Sequence, residues 1–414
     1  MTVRAELLSI GQELLMGEIV DTNAAFIAAR LPPLGIELRW VTQVGDRWED
    51  MTEALRRALS RSDITFTTGG LGPTQDDLTR EAIADALGER LEVDPALVES
   101  LEAFFRGRGI PMPPSNLKQA SLIPSAQPLP NRRGTAPGWW VEKDSRVIVA
   151  LPGVPAELEV MWENEVLPRL KRLPRGRVIV TRTLKSIGIS EAAVGEMVSH
   201  LFGQENPYLG IYARPDGIHL RLIARGRDEE EARALIAPLE EEIRRRLGPA
   251  LWGVDRESPE ERAGALLKAL GATLATMESC TGGLLADTIT NVPGSSDYFQ
   301  GGLVTYTSEA KIAAGVDPSL IAAHGAVSPQ VAEAMAQTAR ARFKADYGIG
   351  ITGVAGPEPL EGKRVGTVYI GLAWEGESKS IEGRFPPQRH LVKRQAVTRA
   401  LLELVRLAQE RATG

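Results

Sequence analysis

The chain is 414 residues long, 43% hydrophobic and 25% charged, with a formal net charge of −6. That length calls for two or three domains, and no apolar run is long enough to span a bilayer. One cysteine and four histidines exclude a disulfide framework and argue against a zinc cluster, so any metal should be a hard cation on carboxylates, and the acidic balance excludes an overall electrostatic footprint for nucleic acid.

The opening segment "MTVRAELLSIGQELL" carries no basic stretch followed by an apolar core and a cleavage site, so the expectation is a cytoplasmic protein. "AELLSIG" reads as a strand and "DTNAAFIAARL" as a helix capped by Asp21 or Thr22. "ELRWVTQVG" is a second strand, and "WEDMTEALRRALS" a helix with acids early and bases late. "DITFTTGG" is a third strand with a glycine-rich exit into helical "DDLTREAIADALG". "SRVIVALPGVP" and "AELEVMWENEVLPRLKRL" repeat the strand-to-helix pattern. Such alternation predicts a largely parallel sheet covered on both faces, with ligands at the strand carboxyl ends.

The densest motif of this region is "TFTTGGLGPTQDDLTREAI". Gly69, Gly70 and Gly72 make a phosphate-sized loop, Thr74 is placed to cap the next helix, and Asp76 and Asp77 fall at that helix's positive end. Acids are favoured in any first helical turn, which is the plain structural alternative. Two adjacent carboxylates beside a glycine loop also suit a divalent cation bridged to a diphosphate.

Proline and charge at 171–177 mark a first linker. Beyond it, strand, helix, hairpin and helix patterns make a small α+β module up to a second linker in "GPALWGVDRESPEER". The α/β pattern resumes near Pro259. In "ATLATMESCTGGLLADTIT" an extended segment enters a helix through Thr281, Gly282 and Gly283. A hydroxyl there can be an ordinary N-cap or a nucleophile beside free N–H groups. Cys280 is the rival nucleophile, but successive side chains after a strand point to opposite sides, so only one of the two faces a site. Tyr306 and Lys311 follow a second glycine turn, and a desolvated lysine can act as base for a serine. "GIGITGVAGPEPLEGKRVGTVYIGL", with Gly353, is a strand–loop–strand suited to backbone recognition of a ligand. Arg389, Lys393 and Arg394 open the last helix, where a solvated face is the simple alternative.

The ordered series "ESCTGGLLA", "GSSDYFQGGLVTYTSEAK", "GAVSPQVAEAMA", "ITGVAGP" and "GTVYIGL" resembles the nicotinamide-nucleotide amidases of the CinA family. The resemblance implies metal-free hydrolysis of nicotinamide mononucleotide to nicotinate mononucleotide and ammonia. It places the nucleophile on Ser279 with Tyr306 and Lys311 in the catalytic group. It puts Thr281, Gly282, Gly283, Gly353 and the phosphate-side Arg389 around the substrate. On this view Cys280 supports the loop, the helix start stabilises the oxyanion, and Lys311 takes the serine proton and returns it to ammonia. Where relatives carry Phe-x-Gly-Asp-Arg, this chain has "FPPQR", which keeps the arginine but not the Gly-Asp.

The N-terminal motifs "SIGQELLMGEIVDTN", "TTGGLGPTQDDLT", "NRRGTAPGW" and "LPGVPAELEVMW" resemble the molybdopterin-binding-type (MoCF) domain of the same family. That likeness implies ADP-ribose pyrophosphatase activity with a divalent metal (Mg, Mn or Co). Asp76 and Asp77 would hold the metal, Gly70, Gly72 and Thr74 the diphosphate, and Glu13, Asn23, Gly134 and Pro137 the nucleotide. Related MoCF domains handle molybdopterin, which is the alternative for this region. The middle module is similar to the family's KH-like domain but lacks the G-x-x-G clamp of a nucleic-acid-binding KH module.

The expectation is therefore α/β overall: a MoCF-type, mostly parallel sheet flanked by helices (1–170), a small α+β KH-like domain (171–252) and an α/β amidase domain (253–414). It is a bifunctional nucleotide-salvage enzyme, a homodimer with small nucleotides as partners and neither membrane nor nucleic acid. A non-enzymatic competence or DNA-repair accessory is the reading from another class.

Overall fold

The computed structural model describes residues 3–173 and 177–413, with backbone only at 412 and 413. Residues 174–176 of the expected first linker lie outside the described residues. The chain forms two compact units, one of residues 1–180 with 224–235 and one of 181–223 with 236–414.

The first unit is built on a six-stranded sheet in the order Ile36–Val44, Val3–Ile10, Ile64–Thr68, Arg146–Leu151, Gly138–Lys143, Ala126–Leu129. The pairings among the first four strands are parallel, and the last two are antiparallel. Every residue of the central Ile64–Thr68 strand is buried, as a strand covered on both faces requires. Alternation splits neighbours between two cores. Leu7, Phe66 and Val149 pack with Ile27, Leu158 and Trp162. Leu8, Ala150 and Trp139 pack with Met51, Leu55 and Ile83.

Asp21 caps the Thr22–Ala28 helix by accepting from the Ala24 N–H. The Trp48–Arg61 helix has Glu49 and Asp50 in its first turn and Arg61 in its last. The helix expected from Asp76 onward begins only at Thr79 and runs to Leu87. Thr74 therefore caps no helix. Its N–H and hydroxyl both donate to Asp77 Oδ2, closing a turn before the helix, because a short carboxylate competes well for nearby backbone donors. The third strand leaves through Gly69, at φ 103°, where a Cβ would lie 2.1 Å from the Ile10 carbonyl oxygen. Glycine alone lets these two strand ends come together.

A four-stranded sheet has the order Tyr208–Arg214, Gly217–Gly226, Val178–Ser186, Leu251–Val254. The supposed second linker is thus partly a strand. Leu251–Val254 pairs antiparallel with Leu184–Ser186, and Trp252 is buried in an apolar cluster with Leu267 and Leu401. Glycine, proline and charge hid a strand of only four residues.

A five-stranded sheet follows in the order Phe299–Val304, Leu274–Glu278, Tyr347–Gly353, Thr367–Trp374, Glu377–Arg384. Its first two pairings are parallel and its last two antiparallel. Val392, Ala396, Ala400, Leu404 and Ala408 form the buried stripe of the Arg389–Thr413 helix, which shares a core with Leu274, Ile349 and Leu372. The Pro329–Phe343 helix covers the opposite face through Val331, Met335 and Ala339, packed with Ala275 and Met277. Among the described residues no helix is long and apolar enough to cross a membrane.

Candidate active sites

The Leu274–Glu278 strand is buried throughout and lies between two parallel neighbours, so its carboxyl end opens at a rigid point of the sheet. Ser279 extends the ladder by one bond, its N–H donating to the Ile351 carbonyl at 2.9 Å. The chain then turns through Gly282 and Gly283, at φ 63° and 92°, before the Leu284–Thr290 helix. These left-handed positions suit glycine.

Strand alternation continues into this turn. Cys280 joins the core that holds Leu274, while Ser279 meets Lys311. Lys311 Nζ donates to Ser279 Oγ at 2.9 Å and to the Thr305 carbonyl at 3.1 Å. Lysine and serine are only 2% and 7% exposed. Burial lowers the Lys311 pKa, with Cys280, Glu361 and Glu309 pulling the other way. Burial also pushes the Cys280 thiol up to about 12, which removes the thiolate that a cysteine nucleophile needs.

The helix start does not have the role expected of it. Glu278, 1% exposed, accepts from the Gly283 and Leu285 N–H groups through Oε2, at 3.1 and 3.0 Å, and from Ala286 through Oε1 at 2.9 Å. A buried carboxylate finds its compensation in those donors, so they are closed to an oxyanion. The Cys280 and Thr281 N–H groups have no backbone partner among the described residues. The Thr281 hydroxyl is fully buried and likewise unpartnered. Sequence reasoning passed over Glu278, although an acid ending an otherwise apolar strand was a visible signal.

Tyr306 is 55% exposed, and its hydroxyl accepts from Arg389 rather than meeting Ser279 or Lys311. Arg389 also donates to the Gly356 carbonyl at 2.7 Å. Two pairs therefore stand in this region: Ser279 with Lys311, and Tyr306 with Arg389. Gly353 ends its strand so close to the next that a Cβ would meet the Thr367 carbonyl oxygen at 2.8 Å.

In the first unit a cavity of about 610 Å³ opens at the strand carboxyl ends. Of the expected residues, Glu13, Gly70, Gly72, Asp76 and Asp77 line it, joined by Asp46, Gln119 and Glu157, which sequence reasoning missed. Asn23 stands behind the wall, its amide donating to Thr68 Oγ1 at 2.9 Å and the Gly153 carbonyl at 2.7 Å. Gly134 donates to Asn131 Oδ1 at 2.8 Å, and the Pro137 carbonyl accepts from buried Arg80 at 3.4 Å. Neither Thr74, Gly134 nor Pro137 lines the cavity.

Five carboxylates face this space, and among the described residues no lysine, arginine or histidine lines it. Burial raises the Asp46 pKa, the Gln12 N–H opposes it, and Glu13, Asp76 and Asp77 add repulsion. Among the described residues no three acidic, histidine or cysteine side chains converge as a ready metal cage. The donor set nevertheless fits a hard cation held by one or two carboxylates and completed by ligand phosphates.

Three family models match: "CinA C-terminal domain" over residues 256–408, "Probable molybdopterin binding domain" over 6–172, and "Damage-inducible protein CinA KH domain" over 181–253. A competence-damage inducible protein of Moorella thermoacetica is 47% identical over 98% of both chains. A CinA-like protein of Frankia casuarinae is 45% identical over 98% of this chain and 96% of its own. The crystal structure of CinA from Thermoplasma acidophilum is 36% identical, covering 40% of this chain and 96% of that one, with a TM-score of 0.37. With relatives this similar along nearly their whole length, the chain belongs to the CinA family.

Proposed function

We propose that the second unit hydrolyses nicotinamide mononucleotide to nicotinate mononucleotide and ammonia. The observation that carries this reading is the buried Lys311–Ser279 pair at 2.9 Å, with the lysine pKa lowered. In its neutral form Lys311 accepts the Ser279 proton as Oγ attacks the carboxamide carbon. The C–N bond then breaks, and the proton passes from Lys311 to the departing ammonia. Water, deprotonated by the same amine, attacks the acyl-serine; the bond to Ser279 Oγ breaks, Oγ takes the proton back from Lys311, and the carboxylate is released. The Cys280 and Thr281 N–H groups are the donors left for the oxyanion.

For the first unit the proposal is metal-dependent hydrolysis of ADP-ribose to AMP and ribose 5-phosphate. A cavity whose charged lining residues are all carboxylates repels a diphosphate unless a cation intervenes. Asp76 and Asp77, with Asp46 and Glu13 nearby, would hold Mg, Mn or Co, and that ion would neutralise the diphosphate. Both substrates are breakdown products of NAD, which makes one salvage enzyme of the two sites. The family model over 6–172 favours molybdopterin as a second reading for this cavity. The test is to incubate the chain with nicotinamide mononucleotide, ADP-ribose or molybdopterin, with and without EDTA, and to identify products and bound ligand. Deamidation that ignores EDTA and ADP-ribose cleavage that needs metal support the proposal. Binding of molybdopterin without cleavage of ADP-ribose replaces its second half.

A further inference from the structure

We infer that Glu361 is a positioning residue of the Ser279 site, acting through the loop it pins and the negative charge it holds there. This rests on the amidase reading of Ser279 and Lys311.

Residues 354–366 join the Tyr347–Gly353 and Thr367–Trp374 strands, and Glu361 lies in a tight turn of this loop. Leu360 and Lys363 exchange backbone bonds at 3.2 and 2.9 Å, which leaves Glu361 and Gly362 as the two turn residues. Both sit in the left-handed region, at φ 51° and 71°. Glycine accepts that conformation freely, but glutamate holds it only where its surroundings fix it. Here a fork of two bonds does so. Oε1 accepts from the Ala326 N–H and Oε2 from the Val327 N–H, both at 2.9 Å. These N–H groups precede the Pro329–Phe343 helix, and Thr352 ties the same segment to the sheet by donating to the Ala326 carbonyl at 2.8 Å. Residue 325 has to be small, because a Cβ on Gly325 would fall 2.3 Å from Oε2. Nearer the start of the loop, the Gly356 carbonyl accepts from Arg389. Glu361 therefore sets where this loop rests.

The charge held there bears on the Lys311 amine. Lys311 is faced by Glu309 on its own helix, by Cys280 from the Ser279 turn and by Glu361 from this loop, each favouring the ammonium against burial. Cys280, its thiol pushed up to about 12 by burial, carries no charge near neutral pH. Lys393 bears on that thiol, and Glu278 is committed to three helix N–H groups. Lys363 Nζ stands 3.9 Å from Glu361 Oε2, a loose pair that leaves most of the carboxylate's field in place. A base must be neutral to accept a proton, yet too weak a base pulls poorly on a serine. Glu361 keeps Lys311 more basic than burial alone would leave it.

The test compares the full chain with Glu361→Gln, Glu361→Asp and Glu358→Gln, the last an exposed acid on the same loop. Two readouts are taken: kcat and KM for nicotinamide mononucleotide across pH, and hydrogen exchange over residues 325–328 and 354–366. Glu361→Gln keeps the shape but loses the charge and one acceptor, so exchange should quicken roughly 10-fold over both segments. The acid limb of its kcat profile should move to lower pH by roughly half a unit, because the ammonium loses a partly screened partner. On the plateau kcat should fall roughly 3-fold as the base weakens. Glu361→Asp, charged but shorter, should hold the limb near the parent's while exchange still quickens. Glu358→Gln should match the parent in both readouts. Unchanged exchange in Glu361→Gln overturns the pin. A limb that stays in place or moves to higher pH overturns the role of the charge, since a loosened loop alone would hydrate Lys311 and return it towards its ordinary pKa. If the parent does not hydrolyse the mononucleotide, the amidase reading fails, and exchange alone decides whether Glu361 pins the loop.

Discussion

Ser279 can be activated only if the amine 2.9 Å away is neutral, and burial is what makes neutrality accessible. Ser279→Ala should cost on the order of 10⁴-fold in deamidation, whereas Cys280→Ala, a change within an apolar cluster, should retain most activity. Lys311→Arg should fail nearly as badly as Lys311→Ala, because arginine keeps the charge but cannot give up its proton. The rate should rise with pH through the lowered lysine pKa. The same shift has a stability consequence. The folded chain binds fewer protons than the unfolded one between the lowered and the ordinary lysine pKa, so stability rises with pH across that window. Below it, the cost of burying the ammonium persists. Lys311→Met should therefore raise the melting temperature at neutral pH, with a gain that shrinks at alkaline pH. Scanning calorimetry at both checks the sign. An active Lys311→Arg enzyme would reduce the lysine to a fixed charge.

At the scale of elements, Glu278 joins the strand that carries Ser279 to what surrounds it. Its side chain caps the Leu284–Thr290 helix, while its carbonyl accepts from the Thr305 N–H at 2.7 Å. Thr305 in turn offers its own carbonyl to Lys311. Glu278→Gln replaces one acceptor oxygen by a donor facing backbone N–H groups. The expected loss is about 1–3 kcal/mol in urea unfolding, with deamidation falling alongside. Unchanged stability would mean that the carboxylate is dispensable to the turn. The N-terminal counterpart is Gly69→Ala, whose Cβ would fall 2.1 Å from the Ile10 carbonyl oxygen. Because backbone, not a flexible side chain, is in the way, that variant should not reach the native fold. Circular dichroism and solubility decide the point.

At the scale of the whole molecule, the acidic cavity and the Ser279 turn lie in different units, so their chemistries should separate. Asp76→Asn should abolish metal-dependent ADP-ribose cleavage and leave deamidation intact. Loss of both in a folded variant would overturn the two-site reading. Trp252 decides where the CinA C-terminal domain can be cut. It is 1% exposed among Leu267, Leu401 and Val405. A 255–414 fragment should deamidate without added metal but be less stable than 248–414, by roughly 3–5 kcal/mol for the missing tryptophan. Equal urea midpoints would show that the Trp252 site collapses without cost.

The α/β fold class, with its mostly parallel N-terminal sheet, was legible in the chain because periodicity and glycine exits are local signals. Strands such as Ile64–Thr68 and helices such as Trp48–Arg61 announce themselves within a dozen residues. The opposite orientation of Ser279 and Cys280 follows from strand alternation and could be read the same way. What was not local was decided by the tertiary structure. The Leu251–Val254 strand is held by a partner more than sixty residues earlier, and no short window shows that partner. Asp46 and Glu157 reach the cavity from separate strand exits. Glu278 was visible as an acid, but only the folded turn shows that it occupies the helix donors. Tyr306 meets Arg389 across 83 residues, a pairing between a loop and the start of the last helix. Local periodicity therefore determined the elements, and long-range packing decided which polar groups satisfy one another and which are left free for chemistry.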